Sequence, residues 1–129
     1  MPIDACLVDT NVLLRIPKLS DPNHLAVDNA IAKLATQGTT LYFTHQNIAE
    51  LWNTMTRPLS RNGFGLTVQD ADREVALIES GMELLPDSAE VYREWRRIVV
   101  RYGVSHILTL NESDFSRFER LTPIHPATV

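Results

Sequence analysis

Residues 4–15 read DACLVDTNVLLR: an apolar run, Ala5-Cys6-Leu7-Val8, stops at Asp9-Thr10-Asn11 and resumes at Val12-Leu13-Leu14. A carboxylate between two stretches that both look buried has two readings. It is a helix N-cap for Thr10 to Arg15, worth about 1 kcal/mol, or an acid held at the mouth of a crevice. A cap explains Asp9 without explaining Glu50, in the helix after the second strand, and Asp114, four residues past the fourth. Both follow strands, so both can approach the same sheet edge. Glu50 lies nearly opposite the apolar stripe Ile48, Leu51, Trp52 and Met55, which suits a cleft and equally suits plain solvent. Asn111-Glu112-Ser113-Asp114-Phe115 reads as a turn and helix start with Phe115 packed inward and Glu112 solvated. A hydroxyl beside carboxamides and carboxylates at a strand end also offers the oxygen donors that Mg²⁺ and Mn²⁺ prefer.

Other chemistries find little support. Cys6 is the one cysteine and lies inside an apolar run, so it reads as a small buried hydrophobe, with no disulfide or cysteine zinc site within one chain. His24, His45, His106 and His125 lack metal-ligand spacing, Ser20, Ser60 and Ser105 lack a nucleophile-elbow context, and no Gly-rich phosphate loop follows a strand. The formal charge of −4 argues against a protein that coats nucleic acid. It leaves room for a phosphodiester hydrolase whose carboxylates hold a divalent cation while a local basic face meets phosphates.

The elements that must position these residues alternate along the chain. Ile3 to Val8 reads as a buried strand, and Asp21-Pro22 opens a helix with the stripe Val27, Ala30, Ile31 and Leu34, stopped by Gln37-Gly38. Leu41-Tyr42-Phe43 is a second strand, and Thr44 caps the helix of Glu50, which ends before Pro58. Leu59 to Leu66, with two glycines, reads as an exposed loop. Thr67 caps a helix with Val68, Ala71, Val75, Ile78 and Met82 on one face. Glu83-Leu84-Leu85 is a third strand closed by Pro86, and Asp87-Ser88-Ala89-Glu90 resembles a capping box. The helix it opens has Val91, Trp95, Ile98, Val99 and Tyr102 on one face and Arg93, Arg96, Arg97 and Arg101 on the other. His106 to Leu110 is a fourth strand, and Pro123 to Pro126 at most a short edge strand. Strands alternating with helices predict an α/β sandwich with a largely parallel sheet, in which ligands bind beyond the carboxyl ends of the strands. With 129 residues, 44% of them hydrophobic, one domain with its own core is expected. No apolar run approaches the roughly 20 residues of a membrane span, and Asp4 stands where a signal peptide carries basic residues, so the expectation is no membrane and a cytoplasmic location.

The VDTNVLLR start, the YFTHQNIAELWNTMTRP segment and the HILTLNESDF strand with the terminal TPIHPATV together resemble the PIN-domain ribonucleases, particularly the VapC-like toxins of bacterial toxin–antitoxin pairs. The resemblance runs in order over nearly the whole chain. It implies a three-layer α/β/α sandwich with a mainly parallel sheet of four to five strands, a cluster of acids binding Mg²⁺ or Mn²⁺, and hydrolysis of RNA by a metal-activated water. Asp9 then matches the family's first acid, Glu50 the second and Asp114 the acid after the fourth strand, with Thr10, Asn11 and Asn111 at supporting polar positions. Arg57 and Arg61, with the arginine face of the later helix, become candidates for RNA phosphates, against the reading of a merely solvated face. An antitoxin partner and a homodimer are implied as well.

The chain departs from the family pattern at one place. A further helix that begins with an acid normally precedes the fourth strand, whereas here Arg101-Tyr102-Gly103-Val104-Ser105 runs straight into His106, with no acid between Glu94 and Glu112. The expectation is a segment missing at the 103/104 joint, by deletion from the gene or by omission from the written chain, with omission favoured. The alternative function is accordingly a catalytically weakened PIN domain acting mainly as an antitoxin-binding module. A phosphotransferase of the haloacid-dehalogenase kind, with Asp9 as nucleophile, would want a second aspartate two residues on, where Asn11 stands.

Overall fold

The computed structural model describes residues 3–85, 102–114 and 122–129. β1 (Ala5–Val8) is buried along its whole length, as a central parallel strand covered on both faces must be. Its pleat sends Cys6 and Val8 to one face and Ala5 and Leu7 to the other, and the two pairs join separate apolar clusters. With β2 (Thr40–Phe43), β3 (Glu83–Leu84), β4 (His106–Leu108) and β5 (Thr122–Ile124) it forms a five-stranded sheet of order β3-β2-β1-β4-β5, parallel throughout. Pro123 is tolerated in β5 because that strand is an edge, where a missing N–H breaks no ladder.

Several strands are shorter than their apolar pattern. β4 ends at Leu108 rather than Leu110 because side chains take over from the ladder: the Leu110 N–H donates to Asn11 Oδ1 at 3.2 Å and the Asn111 N–H to Thr109 Oγ1 at 3.0 Å. β1 begins at Ala5 instead of Ile3, and Leu85 follows β3 while its N–H still donates to Phe43 O at 2.8 Å.

Four α-helices lie among the described residues: α1 (Thr10–Leu13), α2 (His24–Thr36), α3 (His45–Thr56) and α4 (Val68–Gly81). They turn their apolar stripes to the Cys6 and Val8 face, in one cluster with Val27 and Leu34 of α2, Leu51 and Met55 of α3, and Val75 and Ile78 of α4. α2 opens at His24 after an Asn23 N-cap, not at Asp21-Pro22 as expected. The Asp21 carboxylate is committed elsewhere: it accepts from the Asn23 N–H at 2.8 Å and from Arg15 Nη1 at 2.7 Å, so Asp21 to His24 forms a turn ahead of the helix. On α4, Val68 lies on the first turn and is 58% exposed, contrary to expectation, while Met82 is buried as an extended C-cap just past the helix end.

The Leu59 to Leu66 segment is exposed at Leu59 and Arg61 but is not a free loop. A 3-10 turn, Leu59–Arg61, folds it back on the end of α3, where the Phe64 N–H donates to Thr54 O at 3.0 Å and the Leu66 N–H to Met55 O at 2.8 Å. Gly63 is buried in that fold, and a Cβ there would overlap the Arg57 carbonyl.

The opposite face of the sheet buries Ala5, Leu7, Leu85, Val104 and Ile107, with Tyr42 and Tyr102 packed against them. The expected capping box at Asp87 to Glu90, the helix from Val91 with its arginines, and Phe115 lie outside the described residues. Tyr102 and Gly103 form a turn, Gly103 at φ +66°, which only glycine adopts at little cost. From there the chain enters β4 directly, the Ser105 N–H donating to Ala5 O at 3.3 Å. No described helix is long and apolar enough to cross a membrane.

The ion pair that ties α2 to the chain after α1 is pH-sensitive. Burial works to raise the Asp21 carboxyl, but the Asn23 N–H and the Arg15 guanidinium outweigh it and hold the group below its ordinary 3.8. A depressed carboxyl stabilises the fold above its unfolded value and loses that contribution as pH falls through the folded one. Asp21→Asn should therefore melt at a lower temperature than the parent chain at neutral pH. The gap should close below about pH 4, read from thermal melts across a pH series.

Candidate active site at the carboxyl ends of β1 and β4

In the β3-β2-β1-β4-β5 order, the chain leaves β1 toward β2 and β3 and later returns on the other side of β1 as β4. The carboxyl ends of β1 and β4 thus lie at the topological switch point, where parallel sheets place their ligands. Parallel pairing sets Val8 opposite Leu108, so the next residues, Asp9 and Thr109, emerge side by side.

Asp9 takes the capping role and also stands at the carboxyl end of the sheet, where its second reading needs it. It is the N-cap of α1, its Oδ1 accepting from the Thr10 N–H at 2.8 Å, and it stands partly exposed at the end of a buried strand. Its Oδ2 accepts from Thr109 Oγ1 at 3.0 Å. Thr109 is fully buried, and the same oxygen accepts from the Asn111 N–H at 3.0 Å and from Asn11 Nδ2 at 3.2 Å. A hydroxyl has one proton and two lone pairs, and both neighbours on the acceptor side bring protons of their own. The Thr109 proton is thereby directed at the Asp9 carboxylate. Asn11 closes the ring by accepting the Leu110 N–H on Oδ1, which also fixes which way round its amide lies.

A second link runs from α1 to α3. Thr44 and Asn47 form a capping box at the start of α3, and Asn47 Nδ2 donates to Thr10 Oγ1 at 2.8 Å. Glu50 lies one turn further along α3, exposed, its Oε1 accepting from Gln46 Nε2 at 3.0 Å. Asp114 ends the 3-10 turn Glu112–Asp114 that follows Asn111, and its side chain is not among those described. Of the expected residues, the structure joins Asp9, Thr10, Asn11 and Asn111 in one hydrogen-bonded group, and it carries Glu50 on the neighbouring helix. Among the described residues no three His, Cys, Asp or Glu side chains form a group that could hold a metal ion. Arg57 is the C-cap of α3, seven residues and about 10 Å of helix beyond Glu50. Arg61 follows in the 3-10 turn, so both basic candidates stand at the far end of α3 from Thr44.

Sequence reasoning missed Thr109 and Asn47. Thr109 carried a signal, a hydroxyl inside the apolar run Ile107-Leu108-Thr109-Leu110 where a strand leaves the core. Asn47 carried one too, at the third position after a Thr N-cap. Among the described residues, Cys6, His24, His106 and His125 bond outside this constellation. Burial pushes the Cys6 thiol up to about 12, which leaves it inert as a nucleophile. His106, at the amino end of β4, is held low by burial and meets Ser105 Oγ at 2.6 Å. His24 and His125 bond backbone groups locally.

Thr109→Val keeps the shape and strands the Asn111 N–H and the Asn11 amide. It should lower stability by about 2–3 kcal/mol in denaturant melts, against about 1 kcal/mol for Thr109→Ser, which keeps the hydroxyl.

The chain matches the model of the PIN domain over residues 6–116. No curated protein matches its sequence. Among solved structures, its fold is similar to that in a VapBC2 structure from Rickettsia felis bound to a DNA fragment from its promoter, at 15% identity and a TM-score of 0.60 over 94% of this chain and 98% of that one. It is also similar to VapC20 of Mycobacterium tuberculosis, a toxin that cleaves the sarcin-ricin loop, at 12% identity and a TM-score of 0.56 over 79% of this chain and 86% of that one. With the family model spanning β1 to β4 from Cys6 onward, α1 to α4 and the Asp9–Thr109 constellation, the chain belongs to the PIN-domain family.

Proposed function

We propose that this PIN domain is a divalent-metal-dependent endoribonuclease and the toxin of a toxin–antitoxin pair. The observation that carries the reading is the Asp9 carboxylate, fixed at the switch point by the Thr10 N–H and the Thr109 hydroxyl. The two similar solved folds, a VapBC2 structure and a toxin that cleaves the sarcin-ricin loop, support it. The donor set also fits a hard cation: it offers oxygens alone, and both oxygens of the Asp9 carboxylate are oriented by hydrogen bonds.

Asp9, Glu50 and Asp114 are the residues that would hold Mg²⁺ or Mn²⁺. When bound, such a cation supplies positive charge at the phosphodiester and a lowered pKa for the attacking water. The protein's own contribution is orientation. Thr109 and Asn11 fix the Asp9 carboxylate, and Thr109 with Asn111 shapes the turn that leads to Asp114. Arg57 and Arg61 would take RNA phosphates along the far end of α3, and an antitoxin and a second copy of the chain complete the proposed partners. If so, Arg57→Ala and Arg61→Ala should weaken RNA binding and each lower the slope of log affinity against log salt by about 1, in binding assays at several salt concentrations.

The second reading, a PIN domain that binds an antitoxin but cleaves weakly, is favoured by one observation. The chain turns at Gly103 into β4 with no acid between Glu94 and Glu112. Mn²⁺-dependent cleavage of RNA by the intact chain separates the two: sustained turnover supports the first, and absence of cleavage with retained antitoxin binding supports the second. In the same assay Asp9→Asn should abolish cleavage. An amide at position 9 aims either its NH₂ at a hydroxyl that already accepts two protons or at the Thr10 N–H, so a loss of about 1–2 kcal/mol in a thermal melt is expected beside it. Full cleavage by Asp9→Asn would leave Asp9 as a cap alone.

A further inference from the structure

We propose that Asn47 is a positioning residue that holds the Glu50 turn of α3 at its working separation from Asp9. The inference rests on the metal-nuclease reading for what that separation is for, and on geometry alone for the link itself.

In a capping box, the side chain at the third helical position serves one group, the N–H of the N-cap residue. Asn47 does this through Oδ1, which accepts the Thr44 N–H at 2.9 Å, while its own N–H donates to Thr44 Oγ1 at 3.1 Å. A carboxamide carries donors as well as an acceptor. Its Nδ2 reaches across to Thr10 Oγ1 at 2.8 Å, a residue only 7% exposed in the first turn of α1. The Thr10 N–H in turn donates to Asp9 Oδ1 at 2.8 Å. Three consecutive hydrogen bonds therefore run from the start of α3 to the first acid.

Glu50 lies three residues after Asn47, on the same side of the helix one turn along. Its carboxylate is exposed, and the bond it makes, from Gln46 at 3.0 Å, comes from its own helix, so that contact gives no reference to β1 or α1. The Asn47 bond to Thr10 supplies such a reference. A small roll of α3 about its axis would leave Leu51 and Met55 in apolar surroundings, because that packing is non-directional. The same roll would change the separation of Glu50 from Asp9. A directional bond one turn before the glutamate resists that motion.

The test separates the link from the cap. Thr10→Val removes the acceptor and leaves the Thr44–Asn47 box intact, Thr10→Ser restores the hydroxyl, and Asn47→Ala removes both cap and link. Mn²⁺ titration of the intact chain, followed by the paramagnetic signal of the free ion, should show affinity reduced about tenfold in Thr10→Val and in Asn47→Ala. The double variant should be no weaker than the weaker single, since both act on one bond, and Thr10→Ser should stay near the parent. Metal-free crystal structures should show the Glu50 carboxylate displaced from Asp9 by about 1 Å or more in Thr10→Val and Asn47→Ala, and unmoved in Thr10→Ser. Glu50 unmoved, or Mn²⁺ affinity unchanged in a folded variant that has lost the bond, overturns the proposal and leaves Asn47 a helix cap. If the parent chain binds no Mn²⁺, the metal reading fails, and the metal-free structures decide the positioning role by themselves.

Discussion

The pairing of β1 with β4 sets Val8 opposite Leu108, and from that register follows the contact on which the candidate site depends, the Thr109 hydroxyl against the Asp9 carboxylate. An ionised carboxylate at the end of two buried strands is costly unless donors replace the water it has lost. Here the donors are a helix-start N–H and a fully buried hydroxyl whose remaining capacity is taken by Asn11 and Asn111. A slip of one residue between the strands would turn Thr109 to the opposite face of the sheet and break its bonds to Asp9 and Asn11 together. The register is protected by what lies beneath it. Val8 and Leu108 are wholly buried, and a slip would exchange them for their neighbours in a close-packed interior.

Apolar and polar parts of the chain divide the work at this end of the sheet. α1 is only four residues long, too short to stand by propensity, and it is held from below by Val12 and Leu13, both wholly buried. From above it is held by Asp9 and, through Thr10, by the capping box of α3. The hydrophobic contacts fix how far α1 and α3 sit from the sheet. Hydrogen bonds, which are directional, fix how each is rotated. This pairing of a non-directional floor with a directional layer suits a site that must hold carboxylates in one geometry.

Much of the element order could be read from the letters because local chemistry decided it. Thr44 and Thr67 cap where the hydroxyl precedes an apolar period, Gln37-Gly38 ends α2, and Asp9 caps α1. At three places where the reading failed, a partner outside the local pattern had intervened. Asp21 looks like an N-cap until Arg15 claims its carboxylate, and β4 looks longer until Asn11 takes the Leu110 N–H. The Leu59 to Leu66 stretch looks like a free loop until its backbone returns to the last turn of α3.

The same division holds for the site. The sequence by itself determined that Asp9 interrupts a buried run, that Glu50 and Asp114 each follow a strand, and that the chain alternates strand with helix, since these are matters of order and period along one chain. Periodicity carries no information about which strands become neighbours, because pairing depends on burying whole faces at once. Only the tertiary structure placed β4 beside β1 and so brought residue 109 to residue 9, and only it set Asn47 of α3 against Thr10 of α1. Those two contacts join residues 100 and 37 positions apart, and polar side chains of that kind reveal their partners only when the packing that surrounds them exists.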